Sequence, residues 1–186
     1  MKKFNLLFIT TILLTISANP QITKGNWMVG GSGNLTNTKI ESKIKETGEV
    51  TSEPTHYSVV VRPNLGYFIV DQFAIGATSV FSYSKTSKTA EAYGYGIGPY
   101  ARYYFFKPEK RINMLAQIGY LAIKFSPSTS TSQEFLAKVG PVIYFNSSVG
   151  LEMTLDYSNY ISNNNYSKST FKDLGISLGF QIHLEK

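Results

Sequence analysis

The sequence predicts an all-β fold, an eight-stranded antiparallel up-and-down transmembrane β-barrel, from three observations. Apolar and polar residues alternate with period two in eight segments of about 10 to 14 residues, which is enough for a tilted strand to cross a bilayer. The connections between these segments alternate between long polar stretches and short turns, as in outer-membrane barrels. Charged residues are only 16% of the 186 residues, and they are almost absent from one face of every segment.

The first 20 residues have the pattern of a cleaved secretory signal. Lys2 and Lys3 precede an apolar run, residues 4–16, and the small residues Ser17 and Ala18 follow it. The run is shorter than the roughly 20 residues that a membrane helix needs. We therefore expect a signal over residues 1–20 and a barrel domain over residues 21–186, the alternative being a buried N-terminal helix. Loss of two lysines leaves 16 basic and 12 acidic groups, so that the net charge falls from +6 to +4.

The alternation places eight strands along the rest of the chain. The predicted strands are Gly25–Thr36, Tyr57–Ile69, Phe73–Tyr83, Tyr93–Phe106, Ile112–Phe125, Phe135–Phe145, Val149–Ser158 and Leu174–Leu184. Long polar loops are predicted at Asn37–His56, Ser84–Ala92, Ser126–Glu134 and Asn159–Asp173. Short turns are predicted at residues 70–72, 107–110 and 146–148. We call the two ends of the barrel the loop end and the turn end.

The apolar face of each strand is expected to point outward. The lumen of an eight-stranded barrel has room only for packed side chains or one small ligand. The many large aliphatic and aromatic groups of one face cannot fit there, whereas the glycine- and serine-rich opposite face can. An outward apolar face without charge is suited to lipid, because Arg or Lys at the bilayer midplane costs about 2–4 kcal/mol.

Aromatic residues concentrate near the strand ends of the apolar face, where interfacial girdles lie. The predicted girdle residues are Trp27, Tyr57, Tyr67, Phe73, Tyr83, Tyr93, Tyr103, Phe105, Phe145, Tyr157 and Phe180.

Polar and charged residues of the other face are predicted to form a network in the lumen. Its predicted members are Arg62, Arg102, Gln117, Lys138, Glu152 and Asp156. A three-residue turn at Asn146–Ser148 would place Lys138 opposite Asp156. Such a network would plug the barrel, and the alternative is a polar pathway for water or small ions.

Three prolines, Pro63, Pro99 and Pro141, interrupt the predicted strands. Proline removes a hydrogen bond of the strand ladder and is usually confined to edges and bulges. We therefore expect bulges or bends at these positions.

The segments RPNLGYFIVDQFAIGA, GPYARYYFF and VGPVIYFNSSVGLEMTLDY resemble the small outer-membrane β-barrel proteins of the OmpA/OmpX type, particularly the porin-like versions of Bacteroidota. The resemblance covers essentially the whole mature chain and implies the barrel fold and an outer-membrane location. It brings no catalytic motif. The chain departs from the family at its end, His183-Leu184-Glu185-Lys186, where the family favours a terminal aromatic residue.

Residue patterns for catalysis or for cofactors are weak. The chain has no cysteine and two histidines, and His56 and His183 are expected at opposite ends of the barrel. No His/carboxylate cluster has metal-ligand spacing. Gly94, Gly96 and Gly98 have strand spacing without a following helix, which is not the pattern of a phosphate loop. We therefore predict no catalytic residue, no cofactor and no metal, and no basic run predicts nucleic-acid binding.

The predicted protein is an integral barrel of the cell outer membrane of a Gram-negative bacterium, with a closed or very narrow lumen. Its expected role is structural or surface-interacting, through its extracellular loops. Outer-membrane lipids are the expected partners, together with an extracellular ligand or surface at the long loops, and we expect a monomer. The alternatives are a small-solute pore and a lipid-modifying outer-membrane enzyme.

Overall fold

The computed structural model describes residues 22–39, 42–43, 50–52, 55–86, 91–127, 131–163 and 168–185. The predicted signal, residues 1–20, lies outside the described residues. The strands are β1 (Trp27–Lys39), β2 (Ser42–Lys43), β3 (Val50–Ser52), β4 (Thr55–Val70), β5 (Phe73–Thr86), β6 (Ala92–Tyr104), β7 (Ile112–Ser126), β8 (Thr131–Tyr144), β9 (Val149–Asn163) and β10 (Lys168–Leu184).

Eight of these strands form a closed antiparallel barrel in the order β1-β10-β9-β8-β7-β6-β5-β4, and β2 and β3 form a separate two-stranded sheet. The predicted fold class is therefore confirmed. Each barrel strand pairs with its neighbour in the chain, and β1 closes the ring by pairing with both β4 and β10. The described part of the chain contains no helix long and apolar enough to cross a membrane.

The apolar residues of the alternating pattern point outward and the others point into the lumen, as predicted. Outward side chains such as Leu174, Ile176 and Ile97 are exposed, whereas the inward Phe68 and Leu115 are fully buried. The core of the molecule is therefore the lumen, and the apolar outer surface faces its surroundings.

Several strands are longer at the loop end than the alternation predicts. β10 begins at Lys168 rather than Leu174, and β8 begins at Thr131 rather than Phe135. The predicted loop Asn37–His56 contains the β2–β3 hairpin and the first residues of β4. Most residues on both faces of the wall are polar at this end, although Phe171 is not, so the alternation of apolar and polar residues disappears while the backbone pairing continues.

The turn between β4 and β5 is one residue shorter than predicted. Val70 belongs to β4 and pairs with Phe73, which leaves Asp71 and Gln72 in the turn. Gln72 has a φ of 67°, a left-handed conformation that is uncommon outside glycine. Its side-chain amide donates hydrogen bonds to the carbonyl oxygens of Tyr104 and Phe106, which hold the turn against the next one.

The sequence predicts bulges or bends at the three prolines, and the prediction of bulges is wrong because the register does not shift there. Pairing of β4 with β5 stops at Val61–Phe81 and resumes at Asn64–Thr78, with the same alignment on both sides of Pro63. The same two-residue interruption lies beside the other two prolines, between β6 and β7 and between β8 and β9. The missing N–H of proline thus interrupts one ladder locally without an inserted residue.

Candidate functional site

Among the described residues, three ion pairs lie in the interior of the barrel, and their side chains are buried. The pairs are Arg62–Glu134, Lys138–Asp156 and Arg102–Glu152. The nitrogen–oxygen distance is 2.7 Å in the first pair and 3.1 Å in the second. Each buried charge therefore has an opposite charge in contact, which offsets part of the cost of removing it from water.

Arg102 has the largest number of polar contacts in the lumen. Its Nε donates to Gln117 Oε1 at 2.8 Å, and its Nη1 donates to Glu152 Oε1 and to the Tyr104 hydroxyl. Gln181 Nε2 reaches the second carboxylate oxygen of Glu152 at 3.4 Å. These contacts join four strands across the lumen.

Lys138 pairs with Asp156 in the ladder between β8 and β9. The turn before β9 has the assumed length, because the Phe145 N–H donates to the Val149 carbonyl at 2.9 Å. Lys138 Nζ also donates to Ser32 Oγ at 2.7 Å, on the far side of the lumen. The pair therefore bridges the barrel as well as two neighbouring strands.

Glu134 is a charged lumen residue that the sequence does not predict, because it stands at the end of a polar stretch that resembles a loop. It lies in β8 with no exposed surface, and its Oε1 accepts from Arg62 Nη2 and from Ser158 Oγ. Arg62 Nη2 also donates to the Tyr160 hydroxyl at 3.1 Å. Glu134 shares the inward alternation with Leu136 and Lys138, so continuing that alternation by two residues would have found it.

Aromatic rings and Ile22 close the lumen at the turn end. The His183 ring lies 5.6 Å from the rings of Phe68 and Tyr144, measured between centroids, and 6.1 Å from the Tyr104 ring. Ile22 is fully buried in the same cluster, and its carbonyl accepts a hydrogen bond from the Gln72 N–H at 2.8 Å. This layer fills the lumen below the ion pairs.

The loop end is open and contains a cavity of about 640 Å³. Its upper wall carries hydroxyl groups such as Ser58, Ser82 and Ser158, and its lower part reaches Arg62 and Asp156. The molecule is therefore a cup, open at the loop end and filled at the turn end.

The predicted girdle residues lie on the outer surface. Exposed there are Trp27, Tyr57, Tyr93, Tyr103, Phe105, Phe145, Tyr157 and Phe180, and half-buried are Tyr67, Phe73 and Tyr83. Several form pairs with neighbouring strands, with centroid distances of 5.1 Å for Trp27–Tyr67 and 5.3 Å for Tyr83–Tyr93. Their role as membrane girdles remains a prediction.

The two histidines lie at opposite ends. His56 Nδ1 is 3.0 Å from Thr86 Oγ1 at the loop end, and His183 is buried in the aromatic layer at the turn end. Among the residues that the structure describes, no group of three His, Cys, Asp or Glu side chains has the geometry of a metal site.

The sequence matches no family model and no curated protein. Among solved structures, it is similar to Neisserial surface protein A (NspA), with a TM-score of 0.62 and 14% identity over 86% of this chain and 97% of that one. It is also similar to the outer membrane protein OprG from Pseudomonas aeruginosa, with a TM-score of 0.56 and 12% identity over 90% of this chain and 99% of that one. The protein therefore has the fold of the small outer-membrane β-barrels.

Proposed function

We propose that the protein is an integral barrel of the outer membrane of a Gram-negative bacterium, held as a monomer in its lipids. The observation that carries this proposal is the outer surface of the described strands. It is apolar around the barrel, and its charged side chains Lys85, Lys124 and Lys172 lie only at the loop end. A barrel wall in a bilayer needs an outer surface that is apolar and carries no charge where it contacts the hydrocarbon chains.

The proposed orientation places the loop end outside the cell. The loop-end aromatic residues Tyr57, Tyr93 and Tyr157 would then lie at the outer interface and Trp27 and Tyr103 at the inner one. Lysines beyond the outer aromatic residues would contact phosphate-bearing headgroups.

The proposed role is structural or surface-interacting, with a closed lumen. The three ion pairs and the aromatic layer support it over a small-solute pore, because together they fill the section between the cavity and the turn end. A lipid-modifying enzyme has less support, since His56 has a threonine rather than a carboxylate at its Nδ1.

Heat-modifiable gel mobility tests the barrel in its membrane. We expect protein extracted from outer-membrane fractions to migrate faster unboiled than boiled, because the closed barrel stays compact in detergent. Identical mobility together with a soluble fraction would contradict the proposal. N-terminal sequencing of the same sample checks the proposed removal of residues 1–20, with a start after Ala18 or at Gln21.

Single-channel recording in planar bilayers separates the closed lumen from the pore. We expect the wild-type protein to show no stable discrete openings, and Arg102→Ala to raise the leak because it removes the central cation of the plug. Discrete, long-lived openings of the wild-type barrel would favour the pore instead.

A further inference from the structure

The wall of the barrel is incomplete between β1 and β10. Their pairing runs from Trp27–Leu184 to Gly33–Leu178. Within the described residues, β1 continues to Lys39 paired with β4 alone, and the first half of β10 pairs with β9 alone. The facing edges of the two strands therefore leave a gap in the loop-side half of the wall.

The loop-end cavity extends to the two strand edges that face each other across this gap. Asn34 and Thr36 line it from β1, and Asp173, Leu174 and Gly175 line it from β10. Leu174 is the outward-pointing member of the lining, and it is 70% exposed. The lining of the cavity therefore includes one residue whose side chain belongs to the apolar outer face.

The walls of the cavity are amphipathic. Val60, Val80, Ile123 and Phe125 form an apolar wall; Val80 and Ile123 belong to a buried apolar cluster with Leu121, and Val60 and Phe125 pack against it. Across the ring from β5, β9 contributes the hydroxyl groups of Ser158 and Ser162 to the lining. One side thus suits a hydrocarbon chain and the other a headgroup that forms hydrogen bonds.

The charges of the cavity indicate a headgroup without net charge. Arg62 and Asp156 at its floor already have opposite charges in contact, Glu134 and Lys138. Asp173 at the gap would repel an anionic headgroup. A neutral ligand needs neither to break an ion pair nor to pass this carboxylate.

We propose, on the basis of the outer-membrane location proposed above, that the cavity binds a neutral single-chain amphiphile that enters sideways from the outer leaflet through the gap between β1 and β10. The volume of about 640 Å³ lies within the range of roughly 300–1,000 Å³ that is usual for small-molecule sites. The acyl chain lies along the apolar wall and the headgroup hydroxyls bond to the serine wall.

Gly175 lies on the β10 edge of the gap and lines the cavity. A Cβ added there would have a single neighbour within 4 Å, Asn34 Nδ2 at 4.0 Å, so a larger side chain can enter the gap without meeting backbone. Gly175→Trp is therefore the blocking variant and Gly175→Ala is its matched control. Asn34→Trp blocks the gap from the other edge and serves as a second variant if Gly175→Trp does not fold.

The experiment uses a monoacylglycerol with a diazirine in its acyl chain, mixed into phosphatidylcholine vesicles that contain the full-length protein. After irradiation, mass spectrometry maps the labelled residues. We expect label on the inward Val80, Ile123 or Phe125 as well as on outward residues such as Leu155. Gly175→Trp should lower the inward label about tenfold and leave the outward label unchanged, with Gly175→Ala like the wild type.

Label on outward residues alone would overturn the site and leave the membrane location standing, whereas absence of label on both faces would contradict the membrane location itself. Inward label that persists in folded Gly175→Trp and Asn34→Trp would overturn the sideways route. A fatty-acid probe with the same diazirine, tested in parallel, should give less inward label; equal inward label would overturn the neutral headgroup.

Discussion

The guanidinium of Arg102 lies among side chains from three other strands, and its charge is matched by a single carboxylate, Glu152. Both groups are almost fully buried, with side-chain exposures of 2% and 3%. Removing one partner would leave the other charged in a site that water does not reach. The two residues should therefore behave as a unit in measurements of stability.

We expect Arg102→Met and Glu152→Gln each to lower the free energy of unfolding by about 3–5 kcal/mol, because each leaves an uncompensated buried charge. The double variant should lose clearly less than the sum, since no charge then remains unpaired. Urea titration of the protein folded into lipid vesicles measures all three values. An additive double variant would show that the pair is not coupled.

Lys85→Ala is the control for these two variants, because it breaks an ion pair that is exposed to solvent. Lys85 Nζ lies 2.9 Å from Glu91 Oε1 at the loop end, and its hydrogen bond lowers the pKa of the Glu91 carboxyl group. Both side chains are well exposed to solvent, so water replaces the lost contact and stability should hardly change.

For single residues, the sequence predicts only which face of a strand each one occupies and which residues pair across a short turn. Lys138 and Asp156 could be aligned because a short turn of known length joins their strands. The partner of Arg62 could not be predicted, because Glu134 lies 72 positions away and in a polar stretch that resembles a loop. Contacts across the lumen depend on the shear of the closed barrel, which no single strand reveals.

Among the elements, the strands that contain proline combine an interruption of pairing with a very close backbone approach. A Cβ at Gly98, just before Pro99, would overlap the carbonyl oxygen of Tyr120, and one at Gly140, just before Pro141, would overlap that of Met153. Glycine is required at these two positions by the neighbouring backbone, which cannot move aside as a flexible side chain can.

We therefore expect Gly140→Ala to destabilise the barrel by about 1–3 kcal/mol, the usual cost of overpacking. Gly175→Ala is the matched control, because its new methyl group would enter open space beside Asn34. The temperature at which the compact band disappears on unboiled gels compares the two variants. A Gly140→Ala protein as heat-resistant as the control would show that the backbone of β9 yields easily.

Strand number and order follow from the sequence because the apolar band imposes a strict period of two. The ends of the strands do not. β10 begins at Lys168, six residues before Leu174, because main-chain pairing with β9 persists where most side chains of both faces are polar. A period-two pattern therefore reveals only the part of a strand that has an apolar environment on one face and a polar one on the other.

For the whole molecule, the lumen differs sharply between its two ends. Ser82 and Ala74 lie on the same strand and both point inward, but Ser82 lines the open cavity whereas Ala74 is fully buried in the turn-end cluster. The sequence has no cysteine, so an introduced one is unique. The access of a thiol reagent to the lumen can therefore be measured at one position of the strand at a time.

We expect a membrane-impermeant maleimide to label Ser82→Cys rapidly in intact cells and Ala74→Cys very slowly. Thiol reaction requires access of the reagent, and the ion pairs and rings separate the second position from the cavity. Labelling after unfolding in denaturant controls for the presence of both thiols. Equal rates in the folded protein would indicate a lumen open from end to end.

The cup shape and the gap are features of the closed barrel that the sequence could not predict. The gap depends on how many residues of β1 meet β10, and these strands come from opposite ends of the described chain. The cup depends on which side chains meet across the lumen. Leu174 appears in the sequence as an ordinary lipid-facing residue, and only the three-dimensional arrangement brings it to the cavity.

The short contact between β1 and β10 also bears on how the barrel assembles. Every other neighbouring pair of barrel strands is joined by one turn or loop and can form as a local hairpin, whereas this one must bring together the two ends of the described chain. Seven residue pairs join β1 to β10, so closing the ring brings distant parts of the chain together, at a cost in chain entropy, for few new contacts. We expect the hairpins to form early and the ring to close last, and pulsed hydrogen exchange that protects residues 27–33 through their β10 partners before the hairpins would contradict this order.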